Sequence, residues 1–130
     1  MRRAPYLLLG LLVACGGQAP PPIRPTAVTR SLGVWQGTGS QTIGVVSESG
    51  RMRVWWQTAH ERAPGAGTFR LALHSAVSGR PIQLITDSRG EGRGTVEVAD
   101  DPRPYNFMVE SANLDWSFGV DEIVAGPVKP

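Results

Sequence analysis

The sequence predicts an all-β fold, an antiparallel β-sandwich of about eight short strands, and three observations predict it. Short runs rich in Thr, Val, Trp and Phe alternate apolar with polar residues at period two. They recur at spacings of about 8 to 12 residues, the rhythm of a sandwich or barrel. Between them, 16 Gly and 11 Pro in 130 residues mark turns rather than helices. A length of this order fits one compact core, since domains of roughly 100 to 150 residues are commonest.

The expected strands are 33–36, 41–47, 52–58, 68–75, 82–87, 94–99, 105–111 and 115–124. The third places Met52, Val54 and Trp56 on one face and Arg51, Arg53, Trp55 and Gln57 on the other. The fourth sets Phe69, Leu71 and Leu73 against Arg70, Ala72 and His74. Tyr105, Phe107 and Val109 oppose Asn106, Met108 and Glu110, and Trp116, Phe118 and Val120 oppose Ser117, Gly119 and Asp121. One apolar face per strand means sheets that each cover a core on one side, and two such sheets make a sandwich. Stretches 47–50, 63–67, 88–94 and 100–104 are the breaks. Gly there supplies positive φ, and Pro fixes φ without offering an amide donor. Spacing alone leaves open a hairpin meander or a jelly roll.

Ahead of the domain, Met1-Arg2-Arg3 precedes an apolar stretch from Ala4 to Val13, then Ala14 and Cys15, the only cysteine. Ten residues at ~1.5 Å rise make about 15 Å of helix, half of the ~30 Å hydrocarbon core, so the stretch reads as a cleaved export signal and not a permanent span. Leu12-Val13-Ala14-Cys15 resembles the lipobox of bacterial lipoproteins. The resemblance implies cleavage before Cys15, a diacylglyceryl thioether on its sulfur, and often an acyl chain such as palmitate on the new amino group. Each buried CH₂ contributes about 0.8 kcal/mol, so two or three chains exceed the marginal hold of one. The expected organisation is a signal peptide over 1–14, lipidated Cys15 and a Pro-rich linker over 15–30, the sandwich over 31–125 and a tail over 126–130. Pro20, Pro21 and Pro22 favour polyproline II, at about 3.1 Å per residue. The expected location is the cell envelope, with the outer membrane weakly favoured by Gly16 where an inner-membrane signal would place Asp.

Removing Arg2 and Arg3 from the 13 basic residues leaves 11 against 11 acidic ones. A balanced chain offers little counterion release, which argues against nucleic acid as a partner. Tyr105-x-Phe-x-Val-x-Ser, a short turn, then Asp115-Trp116 and Glu122 resembles the last hairpin of small β-sandwich modules in exported bacterial proteins, with a distant similarity to CUB-like jelly rolls. That similarity turns the expectation towards a jelly-roll-like order. CUB-like modules carry disulfides, and some bind calcium through clustered acids. This chain has neither a Cys pair nor such an acid set, so no site residue is carried over.

No enzyme signature emerges. His60-Glu61-Arg62 begins like a zinc-protease motif but lacks the second His four residues on, so no metal site is expected. Asp100 and Asp101 adjoin, as do Asp121 and Glu122, yet neighbours in a strand point to opposite faces, whereas glycosidase carboxylates converge. There is no Gly-x-Ser-x-Gly elbow and no phosphate loop, and no cofactor is implied. What remains is a candidate binding face of Arg51, Arg53 and Trp55, joined by Arg70 and His74 from another strand. Trp stacks on sugar rings and Arg forks to carboxylates; the alternative is a solvated face on which Arg stems shield Trp55. The expected function is a non-enzymatic, lipid-anchored module that is structural or binds an envelope protein or glycan. The competing reading is a small hydrolase whose acids and His converge only in three dimensions.

Overall fold

Each of the eight expected runs is a strand in the computed structural model, which describes residues 28–125. In chain order they are β1 (Val28–Gly37), β2 (Gln41–Ser47), β3 (Arg51–Ala59), β4 (Thr68–Ser75), β5 (Pro81–Arg89), β6 (Gly92–Ala99), β7 (Arg103–Ala112) and β8 (Asp115–Ala125). No helix occurs among the described residues. The lipobox, most of the linker and the tail lie outside them.

Two four-stranded sheets have the orders β1-β8-β3-β6 and β2-β7-β4-β5, with every pairing antiparallel. Strand 1 pairs with 8, 2 with 7, 3 with 6 and 4 with 5. That is one long hairpin, its tip between β4 and β5, rolled so that successive rungs fall in alternate sheets. Pairings β3·β8 and β4·β7 close the roll. A meander would pair consecutive strands throughout, whereas only β4 and β5 do so here. The fold is a jelly-roll sandwich.

The alternation read from the sequence sets the interior. Met52, Val54, Phe69, Leu71, Leu73, Tyr105, Phe107, Phe118 and Val120 are all fully buried. A line of rings runs between the sheets: Trp35 meets Phe118 at 5.2 Å, Phe118 meets Trp116 at 5.8 Å, Trp116 meets Phe69 at 6.1 Å and Phe69 meets Trp56 at 5.7 Å. These separations are those of favourable tilted and offset aromatic pairs. The Trp116 indole satisfies its N–H by donating to the Gly39 carbonyl at 2.8 Å.

Six of the eight strands run beyond their expected ends, and two of the extensions bear on the reading of the linker and of the breaks. β1 starts at Val28, taking residues 28–30 from the expected linker, because their backbone pairs with β8 out to Ala125. The Gly-rich run 88–94 is mostly strand, with a tight connection at Gly90-Glu91. Gly92 donates its N–H to Thr58 Oγ1 at 2.8 Å, and a Cβ on Gly94 would come within 2.8 Å of the Trp56 ring. The glycine there admits an aromatic ring to the strand rather than ending it.

Candidate functional site

Paired residues on neighbouring antiparallel strands project from the same face, so register alone assembles rows across a sheet. On the outer face of the β1-β8-β3-β6 sheet, Gln36 of β1, Ser117 of β8, Gln57 of β3 and Arg93 of β6 form one row. The next row runs Val34, Gly119, Trp55 and Thr95. Within that row the indole of Trp55 lies across the backbone of Gly119: a Cβ added there would meet the ring at 2.3 Å. Only a residue without a side chain lets the ring lie down on the sheet. Trp55 is half-buried, and beside it Val34 is exposed.

A groove of about 480 Å³ follows the first row, lined by Gln36, Thr38, Gln57, His60, Asp115 and Ser117, with Trp116 at its base. One end is fixed by charge. Asp115 accepts from Arg62 at 2.7 Å on one oxygen and meets His60 Nδ1 at 2.8 Å on the other. The hydrogen bonds from Arg62 and then His60 lower the Asp115 pKa below its ordinary value. The chain turns sharply to place these groups. His60 adopts φ 56° directly after β3, and Asn113 adopts φ 63° just before β8, the Arg62 N–H donating to the Asn113 carbonyl at 2.8 Å. Positive φ at residues other than Gly carries a cost, which those bonds offset.

The acid that adjoins Asp121 in sequence goes the other way. Glu122 continues the inward phase of Trp116, Phe118 and Val120 and is fully buried. Burial pushes its carboxyl up, but hydrogen bonds from Ser47 Oγ at 2.7 Å and the Ser49 N–H at 2.8 Å, together with Arg30 of β1, outweigh it and lower the pKa to about 2. This carboxylate ties β1, β8 and the β2–β3 turn together and faces no groove. At the opposite end from Asp115, the Tyr105 hydroxyl sits between the Asp100 carboxylate, 2.9 Å away, and the Asp101 carbonyl. Arg103 reaches Asp100 at 3.4 Å and Asp101 at 3.0 Å. The adjacent acids thus hold a turn.

Of the residues expected to form one face, Arg51, Arg53 and Trp55 do share the outer side of β3. Arg70 and His74 do not join them, because β4 belongs to the other sheet and its outer side lies across the core. There Arg70 sits between Glu110 at 3.4 Å and Asp87 at 3.8 Å, and His74 Nδ1 lies 3.2 Å from the Gly79 carbonyl. Arg53 pairs with Glu97 at 3.0 Å. Cys15 lies outside the described residues. Among those described, no group of three or more metal-ligating side chains comes together. Gln36, Ser117, Gly119 and the Arg62-Asp115-His60 cluster were not read from the sequence, since each gains meaning only through the register between strands distant in the chain.

Neither a protein-family model, nor a curated protein, nor a solved structure matches this chain.

Proposed function

We propose that the protein is a non-catalytic binding module, lipid-anchored in the cell envelope through Cys15, whose working surface is the outer face of the β1-β8-β3 sheet. The observation that carries the binding reading is Trp55, laid flat on Gly119 beside a groove of hydrogen-bonding side chains. A large aromatic on an outer face, only partly covered, does nothing for the core, and few convergent polar groups beside an apolar plane are the usual make-up of a ligand site. The lipobox resemblance supports the anchor.

One observation favours the competing hydrolase reading: His60 lies within hydrogen-bond reach of Asp115 in the groove that also holds Ser117. Against it, Arg62 occupies the second oxygen of Asp115, His60 is 78% exposed, and no hydrogen bond joins Ser117 to His60 among the described residues. A nucleophile needs its base in contact and a base needs shelter from water.

Fractionation of the native host tests the anchor. The wild-type protein is expected in the membrane fraction with an acylated Cys15 by mass spectrometry, and Cys15→Ser in the soluble one; an intact leader or an unmodified Cys15 contradicts it. Incubating the purified domain with ester and glycoside substrates tests the absence of catalysis. Turnover abolished by His60→Ala would establish the hydrolase instead.

A further inference from the structure

Building on the binding reading, we infer that the groove and the Trp55 platform take an uncharged saccharide chain, laid across the strands with one pyranose face on the indole. Three features specify this ligand class.

The first is the platform. A pyranose presents a flat array of C–H bonds to an aromatic plane, and here the plane is held down by the missing side chain of Gly119 and extended by exposed Val34. The second is the chemistry of the adjoining row. Gln36, Ser117 and Gln57 bring two amides and a hydroxyl, each able to donate and accept, which suits vicinal hydroxyls better than it suits an ion. The two rows lie about 7 Å apart, two residues along each strand. With the guanidinium of Arg93 at its β6 end, the row crosses four strands, a length of roughly 14 Å at the ~4.8 Å strand spacing, longer than a single sugar ring.

The third is charge. The ionised groups nearest the groove and the indole are paired within the protein, Asp115 with Arg62 at 2.7 Å and Arg53 with Glu97 at 3.0 Å. Arg93 closes the row on β6, exposed, outside the groove lining and with no acid within salt-bridge distance among the described residues. An anionic group over the groove or the indole would have to displace an acid from its partner, or reach beyond the groove to Arg93. A neutral one would not.

Titration of the purified domain with soluble cellohexaose, chitohexaose and maltohexaose, followed by calorimetry, tests the inference, with product analysis on the same mixtures. At least one probe is expected to bind without being cleaved. Trp55→Ala should weaken that affinity at least tenfold, and Trp55→Phe, which keeps a flat ring, should retain part of it. Gly119→Ala should weaken it comparably by lifting the indole; Trp55→Ala, on a solvent-facing position, keeps the test intact if Gly119→Ala fails to fold. Gln57→Ala is expected to lose severalfold. No binding by any neutral probe, tighter binding of an oligogalacturonate, or binding indifferent to Trp55 would overturn the inference. Trp55-dependent retention of an envelope protein, with no saccharide bound, would overturn it while leaving the binding reading standing. Cleavage of a probe would overturn that reading itself.

Discussion

Two carboxylates on one strand have opposite fates. Asp115 and Glu122 both belong to β8, and both ionise more readily than free acids. Asp115 points outward, is 37% exposed and is held by Arg62 and His60 at the rim of the groove. Glu122 points inward, is 0% exposed and is held by Ser47, the Ser49 N–H and Arg30. Seven positions apart on a period-two strand, the two necessarily fall on opposite faces. Similar perturbations therefore mean different things: the buried acid joins the sheet edge to the sandwich, and the exposed one shapes a surface that water still reaches.

The largest expected effect lies on the buried side. Glu122→Ala leaves the Ser47 hydroxyl and the Ser49 N–H without their acceptor and a cavity in their place, and should cost about 3–5 kcal/mol in urea unfolding, as stranding buried donors beside a cavity does. Acid titration of stability comes next. Because the folded pKa of Glu122 is lowered from 4.5 to about 2, its contribution is complete above about pH 4.5 and is lost as pH falls towards 2. The loss should be on the order of 3 kcal/mol, and Glu122→Gln should flatten that part of the profile. Arg30→Ala removes a half-exposed, solvent-screened partner and is expected to destabilise less than Glu122→Ala in the same urea measurement.

The exposed acid should answer weakly. Its lowered pKa also acts above the unfolded value and fades as pH drops, but solvent screens the pair, so Asp115→Asn is expected to leave the acid profile almost unchanged. Arg62→Ala should shift stability by less than about 1 kcal/mol, as exposed ion pairs do. If Asp115→Asn proved as damaging as Glu122→Ala, the division between scaffold and surface drawn along β8 would fail.

That division was partly legible in the sequence. The even phase that buries Trp116, Phe118 and Val120 carries on to Glu122, so a buried acid was already written into the period. The strands 41–47 and 68–75 fell at their observed bounds, because turn residues flank both. Arg51, Arg53 and Trp55 were found on one face for the same reason, within a single strand. Period two says which side of its own sheet a residue takes, but not which sheet a strand joins. Arg70 and His74 were therefore grouped with a face across the core. The groove was illegible for a related reason: Gln36, Gln57 and Ser117 are 21 or more positions apart and meet only through register. The Gly119 and Trp55 pairing, 64 positions apart in sequence, is likewise set by β3 lying beside β8.

The most direct test of the working surface is nuclear magnetic resonance of the indole N–H groups during titration with the tightest-binding neutral oligosaccharide. Trp55 on the outer face is expected to shift progressively, while Trp56, turned inward against Phe69, stays nearly still. A Trp55 indole that stays unmoved when the oligosaccharide is saturating would contradict the account.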